Sequence, residues 1–535
     1  IGYDAENHIL YFYDGKMVYE CAEKLFEKLS QKEIAAANLF FVNNTFLVFH
    51  AKPIFLLLAR AGIAGLGRWR DFLLVEFLLD AGRKEFSFEK TIRRVLNKEV
   101  KTIAEALPLF AELDAQLAKE LRENNLQSVY ETIELPLTPI LAQMETEGII
   151  CEKKTLASIG ARVNKELDVL TQKIYQSVGR EFNLNSPRQL GEALFVKLKI
   201  GGARIKKTKT GQFATAEREL IKLKKSHPII ADILSYRELA KLKTTYIDAL
   251  PALIGSDNRL HTTFNQVGTS TGRLASENPN LQNIPIRSEL GREIRSAFVA
   301  EKGWKFLGFD YSQLELRIAA SLSGDKKMIQ AFQDGVDIHR LTASEINNMP
   351  IEQVTPELRQ RAKTFNFGIL YGMGPRSFSE GANISLDEAK AFQQEYFHDF
   401  SSLAEYLETT KEFARNNGFV QTAFGRRRYL PNIISPNIRD SAEAERMAIN
   451  MPIQGTAADI IKFAMIKIDQ WMREKGIGDS VRMLLQIHDE LIFEVRENVV
   501  SEARAQIKKI METVWQSSVH LRVDSFEGNN WAELK

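Results

Sequence analysis

Residues 481–495 read VRMLLQIHDELIFEV, two apolar and β-prone runs on either side of three consecutive ionisable residues. The runs Met483 to Ile487 and Leu491 to Val495 predict a hairpin that is buried except at its turn, which holds His488, Asp489 and Glu490. Most hairpin turns rely on Gly or Asn. An adjacent Asp and Glu at the tip of a buried ribbon is either a solvated turn or a site, and the remaining chain has to decide between them.

At 535 residues the chain has room for three or four units, at roughly 100 to 200 residues per domain. A composition of 44% hydrophobic and 26% charged residues excludes disordered and fibrous classes. The net charge of +2 averages 71 basic against 69 acidic side chains, so local basic patches can hide inside it. Only Cys21 and Cys151 are present, which argues against a disulfide framework and for a reducing interior. No apolar run approaches the roughly 18 residues of a membrane span, and the N-terminus lacks a signal-peptide pattern. A cytoplasmic protein with no membrane partner is expected. The chain opens on Ile1 without Met, and a fragment of a longer protein is expected.

The first part alternates strand-like pieces (His8 to Tyr13, Leu39 to Val48) with helical ones (Ala51 to Gly62, Phe72 to Ala81, Lys101 to Arg122). This mixture predicts a small α/β domain ending near residue 125. Its Asp4 and Glu6 form a DxE pair with no third carboxylate in an interpretable position, and they read as surface acids. Helices follow over Val129 to Glu145 and Lys153 to Val178, and Asn185-Ser186-Pro187 opens another with a polar N-cap before Pro. The cationic loop from Arg204 to Gly211 offers Lys206, Lys207 and Lys209 to successive phosphates. With the basic helix Tyr236 to Tyr246, which carries Arg237, Lys241 and Lys243, it suggests a clamp on a duplex.

Small residues dominate Gln266 to Leu274, as where backbone approaches a ligand closely, and Arg273 and Arg287 supply charge there and in the irregular segment after it. An apolar strand, Trp304 to Phe309, then stops at Asp310, and a helix is expected from Tyr311. An acid at the end of a buried strand costs desolvation unless a cation or donors compensate. Asp310 and Asp489, from different strands, form a donor set that Mg²⁺ accepts, since it takes one or two carboxylates and leaves its other positions to water and phosphates. The helix Pro356 to Tyr371 places Arg359, Lys363, Phe367 and Tyr371 at i, i+4, i+8 and i+12, one stripe that begins cationic and ends aromatic. That order fits a nucleoside triphosphate, with phosphates at one end and a flat ring at the other. A basic cluster, Arg426 to Arg428, precedes a helical stretch, Ser441 to Lys475, that Pro452 and Gly455 are expected to interrupt. Arg446 and Asn450 share a face of it, and Gln454 joins them only if the helix is unbroken. The helix Glu497 to Val514 and the strand His520 to Phe526 end the chain.

Four motifs together resemble the family A DNA polymerases: TGRL at Thr271 to Leu274, DYSQLELR at Asp310 to Arg317, R-x₃-K-x₇-YG at Arg359 to Gly372, and HDE at His488 to Glu490. They stand in the family's order and at fitting separations. The resemblance extends through NSPRQLG and RMAINMPIQGTAAD to essentially the whole chain, and is to the large fragment of the bacterial members.

It implies an α/β (α+β) right-hand polymerase with palm, fingers and thumb behind an N-terminal exonuclease-like (RNase H-like) α/β domain. The implied parts are 1–125 (degenerate 3′–5′ exonuclease-like domain), 126–255 (thumb with connecting helix), 256–324 (first part of the palm), 325–470 (fingers) and 471–535 (second part of the palm). Asp310 and Asp489, with the Tyr311 carbonyl, would hold two Mg²⁺ ions, with Mn²⁺ as a substitute, and Glu490 would be a supporting acid. Gln313, His339, Arg359 and Lys363 would bind the incoming nucleotide, Lys363 catalytically. Phe367 would stack near its sugar and base, Tyr371 would sit at the insertion site, and Glu315 would crowd the sugar 2′ position. Arg273, Arg287, Arg446, Asn450, Gln454 and His488 would contact primer-template DNA. The expected partners are that DNA and deoxynucleoside triphosphates, and a monomer is expected.

One departure concerns the first domain, which in the family needs four carboxylates for 3′–5′ hydrolysis. Here Lys52-Pro53-Ile54-Phe55 stands where one aspartate belongs, and Phe110 replaces a tyrosine ahead of Asp114. A proofreading-dead remnant that serves as scaffold is expected, in a chain without the 5′ nuclease. The alternatives are a single-subunit RNA polymerase-like enzyme, a catalytically silent DNA-binding scaffold, and a retained exonuclease.

Overall fold

The computed structural model describes residues 1–201, 206–208 and 211–534, so the candidate Lys209 lies outside the described residues. The chain divides into two compact units. One comprises Ile1–Glu147, Thr262–Asn278 and Leu307–Phe526, the other Gly148–His261, Pro279–Phe306 and Glu527–Lys535.

The first unit begins with an antiparallel meander of Gly2–Asp4, Ile9–Tyr13 and Val18–Ala22 and a parallel pair, Thr45–Val48 with Arg68–Asp71. The strand expected from Leu39 starts only at Thr45, because a capping box between Ser30 and Glu33 nucleates a helix that runs from Gln31 to Asn43. Likewise the single helix expected over Lys101 to Arg122 is broken around Pro108 into Ile103–Ala106, a short 3₁₀ turn and Phe110–Glu123. Asp4 accepts hydrogen bonds from the backbone N–H groups of Glu6 and Asn7 at 3.1 and 3.0 Å, so its carboxylate stabilises a turn.

The centre of this unit is a four-stranded sheet in the order Val481–Ile487, Glu490–Arg496, Trp304–Tyr311, Val523–Gly528. Its strands are near-continuous apolar runs because both faces are covered; Phe309 meets Phe493 edge to face at 5.7 Å. The helix Ile438–Lys475 runs unbroken for 38 residues through Pro452, contrary to the expected interruption. Met451, Pro452, Ile453 and Gly455 are buried, and packing on that scale outweighs the one helical hydrogen bond that proline cannot donate. Arg446, Asn450 and Gln454 therefore do share one face.

In the second unit the helix Lys153–Val178 packs with Ile229–Leu242 around a core that includes Ile174, Leu190, Leu194 and Ile233. The cationic loop is not free of acids once folded: Lys206 Nζ lies 3.7 Å from Glu219 Oε1, and Lys207 sits over the Phe213 ring. Arg237 donates to the Thr215 carbonyl, and Lys243 pairs with Asp248 at 2.6 Å. Arg287 is exposed just ahead of the helix Glu289–Ser296.

Candidate active site

Strand Trp304–Tyr311 carries through Asp310, two residues further than its apolar run, and the next helix starts at Leu314 rather than Tyr311. Between them Gln313 takes a left-handed φ of 55°. In the hairpin Ile487 pairs with Glu490, so the turn is His488 and Asp489 alone, and His488 also takes a positive φ, of 52°. Glu490 therefore belongs to the buried strand rather than to the tip. Two non-glycine residues in the left-handed region, one beside each aspartate's strand end, are the kind of local strain that clusters at functional sites.

The two strand ends are joined. The Tyr311 backbone N–H donates to the Asp489 carbonyl at 3.1 Å, and the Ser312 N–H donates to the Arg522 carbonyl at 2.8 Å. The Tyr311 hydroxyl donates to the Met511 carbonyl at 2.9 Å. Burial, with Asp489 and Glu512 nearby, pushes that hydroxyl well above its ordinary pKa, so it stays a donor. Arg317 donates to the Ser312 and His520 carbonyls at 2.9 and 2.8 Å while stacking on Phe332, which clamps the turn after Asp310. The side chains at these strand ends are hard oxygen donors, the carboxylates of Asp310 and Asp489 beside the Tyr311 main chain. That donor set fits Mg²⁺ or Mn²⁺ rather than a thiophilic metal.

Glu315 links three segments. Arg273 Nη2 donates to its Oε1 at 2.6 Å and Tyr371 Oη to its Oε2 at 2.8 Å, and the same Arg273 nitrogen stands 4.0 Å from Asp489 Oδ1. Gly272 makes this reach possible. Its φ is +81°, and a Cβ there would fall 2.7 Å from Arg426 Nε. Arg426, counted in a basic cluster on sequence, is wholly buried: it donates to Asp459 Oδ1 from Nε at 2.8 Å and also pairs with Glu134, which takes Lys462 Nζ at 2.6 Å. Burial pushes the Glu134 carboxyl up, but the Arg426 and Lys462 charges outweigh it and hold it down to about 2.

The stripe helix spans Pro356–Leu370 with Thr355 as N-cap and Tyr371 as its C-cap residue. Arg359 Nε donates to Asp337 Oδ2 at 2.7 Å, and Asp337 Oδ1 accepts from the His339 N–H at 2.9 Å, so the arginine is tied to the start of the helix Ile338–Ile346. Phe367 lies against the His339 ring at 5.6 Å. Gly372, at φ +68°, lets Arg446 pack against the end of the stripe, where a Cβ would lie 2.6 Å from Arg446 Cγ.

Arg273, Tyr311, Glu315, Tyr371 and Asp489 are thus brought together by direct bonds or close approach, and His339, Arg359 and Phe367 by the Asp337 and ring contacts. Lys363 stands close enough for its charge to act on the His339 ring. Asn450 and Gln454 lie on the Arg446 face without a direct bond to this set among the described residues, and Arg287, Lys206 and Lys207 belong to the other unit. Sequence reasoning missed Asp337, whose signal was present as an acidic N-cap two residues before His339. It also missed the buried set of Glu134, Arg426, Asp459 and Lys462, which has no local signature.

A family model described as DNA polymerase family A matches residues 153–533. Among curated proteins, a thermostable DNA polymerase I of Thermus filiformis is 43% identical over 490 residues, covering 91% of this chain and 58% of the relative. The DNA polymerase I of Chloroflexus aurantiacus is 42% identical, covering 86% and 49%. The chain therefore spans about half the length of these relatives. Among solved structures, the POL domain of Pol1 from M. smegmatis, in complex with DNA primer-template and dNTP, superposes with a TM-score of 0.89 at 36% identity, covering 97% of this chain and 91% of that one. No helix among the described residues is long and apolar enough to cross a membrane.

Proposed function

The chain belongs to DNA polymerase family A, and on that premise we propose that it adds deoxynucleotides to a primer 3′ end under template direction, releasing pyrophosphate. The observation that carries the reading is the hydrogen bond from the Tyr311 N–H to the Asp489 carbonyl, which ties the strand ends bearing the two aspartates.

Family A DNA polymerases use divalent metals, and Asp310, Asp489 and the Tyr311 carbonyl would hold two Mg²⁺ ions. When bound, such ions lower the pKa of the primer hydroxyl and stabilise charge on the attacking and leaving oxygens. The remaining work falls to the chain. Arg359, Lys363 and His339 bind and orient the triphosphate, and Phe367 stacks beside the nucleoside. Glu315, held by Arg273 and Tyr371, crowds the sugar 2′ position. Arg273, Arg446, Asn450, Gln454 and His488 contact primer-template DNA, where minor-groove acceptors alike for all correct pairs report geometry without sequence. Gln313 helps to seat the nucleotide, Glu490 supports the acids, and Arg287, Lys206 and Lys207 neutralise phosphates.

The division into remnant exonuclease-like domain, thumb, split palm and fingers at the boundaries given above belongs to the same proposal, as do a monomeric state and a cytoplasmic location. The free thiols of Cys21 and Cys151 support the last.

Primer extension by Asp310→Ala and Asp489→Ala tests the assignment. Each is expected to lose at least about a thousandfold in rate, the scale of removing a main electrostatic contributor, while melting as a folded protein. Extension at the normal rate by the double variant would remove the site. Equal use of ribonucleotides would favour the RNA polymerase reading instead.

A further inference from the structure

His339, Asn366 and Thr342 form a buried chain of hydrogen bonds whose donor directions follow from counting protons. The three side chains are 2%, 1% and 0% exposed, so solvent does not set their states. The Thr342 hydroxyl donates to the Ile338 carbonyl at 2.8 Å. A hydroxyl has one proton, so the same oxygen's longer 3.3 Å approach to Asn366 Oδ1 cannot also carry it. Thr342 Oγ1 is left as an acceptor, and the group that faces it at 3.0 Å is Asn366 Nδ2. This fixes the amide orientation. The second proton of Nδ2 points to His339 Nδ1, also at 3.0 Å. Nδ1 must therefore accept, and in a neutral imidazole the proton then resides on Nε2.

We propose that Thr342 and Asn366 are positioning residues that lock His339 in the neutral Nε2–H form, so that it meets the triphosphate as a hydrogen-bond donor. The inference rests on the reading of His339 as a triphosphate ligand. The charged groups facing the ring agree with the neutral form. Burial, with Arg359 and Lys363 from the stripe helix, lowers the ring to about 4 against the opposing pull of Asp337 at the start of its own helix. Phe367, from the stripe helix, adds only an apolar face. A neutral donor completes the cationic end of the stripe without adding a third positive charge beside Arg359 and Lys363, which would repel both.

The relay is tested in the full chain, without substrate, by ¹⁵N resonances of the histidine ring across pH. Unaltered protein is expected to show the Nε2–H tautomer with no titration between pH 6 and 8. Asn366→Asp replaces the donor with a carboxylate, which requires a proton on Nδ1 and draws the ring's titration up into that range. Thr342→Val removes the acceptor that orients the amide and is expected to mix the tautomers; Thr342→Ser keeps it and restores one. A ring protonated on Nδ1 in the unaltered protein, or a tautomer unmoved by both disruptive variants, overturns the relay.

A second readout concerns the ligand. With Asn366→Asp, KM for the deoxynucleotide should rise about tenfold as pH passes the new titration and Nε2 loses its proton, while unaltered enzyme stays flat; tenfold is the scale of one charge-assisted hydrogen bond. The expected tautomer with a flat KM would overturn the triphosphate assignment of His339 and leave the relay standing.

Discussion

Tyr371 donates its hydroxyl to Glu315 Oε2 at 2.8 Å from the end of the stripe helix. The helix proposed to bind the nucleotide is thereby tied to the side chain proposed to exclude a 2′ hydroxyl. Burial and Glu315 push the tyrosine up to about 12, so the donor persists through neutral pH. Tyr371→Phe leaves Glu315 with its bond from Arg273, and discrimination against ribonucleotides should fall about tenfold, the worth of a hydrogen bond to a charged group. Glu315→Ala should lower it further. Single-turnover incorporation of matched ribo- and deoxynucleotides measures both, and unchanged ratios would detach Glu315 from sugar choice.

Gly272→Ala should cost about 2 kcal/mol or more, because the new Cβ meets an arginine that cannot move and adopts a φ that side chains avoid. The arginine is Arg426, with its Nε 2.7 Å from the added atom. Arg273 follows in the chain, so activity should fall by more than tenfold even where the variant remains folded. Denaturant midpoints and primer extension below the transition separate the two effects.

Acid sensitivity has an identifiable source in Glu134. Its folded pKa is depressed from 4.5 to about 2, so the stability it contributes is fully present above about 4.5 and is lost as pH falls toward 2. Glu134→Gln should flatten that limb of the stability profile. At neutral pH it should cost about 3–5 kcal/mol, since Arg426 and Lys462 would be left buried without this partner. Urea melts from pH 2.5 to 7 check slope and offset together.

The N-terminal lobe should not trim DNA. Asp71 is buried and accepts from the backbone N–H groups of His50, Ala51 and Leu73, and Asp114 pairs with Arg70 at 2.6 Å. Both carboxylates are thus engaged within the protein, which is the ground for this prediction. A 3′-labelled single strand with Mg²⁺ and no nucleotides is expected to stay intact, and a mismatched primer end is expected to persist. Shortening that survives Asp310→Ala would restore an active nuclease.

The stripe of Arg359, Lys363, Phe367 and Tyr371 was legible because helical periodicity acts over a few residues, and so were the apolar runs around His488 to Glu490. The hairpin, the strand reaching Asp310 and the long helix Lys153–Val178 follow from such local rules. Pro452 shows where they stop: local propensity predicts a break, and burial of its neighbours on both sides decides otherwise. The same limit applies to Arg426, which reads as one of a basic cluster of three arginines and becomes the partner of Glu134, 292 positions away.

By itself the sequence determined most of the element types and the chemistry of the reactive side chains, which depend largely on neighbours in the chain. Only the tertiary structure decided which carboxylate Arg273 would hold, which cations would be buried in pairs, and which nitrogen of His339 would carry its proton. Those outcomes depend on desolvation and on the exact count of donors and acceptors at contacts between distant segments, and no local pattern encodes them.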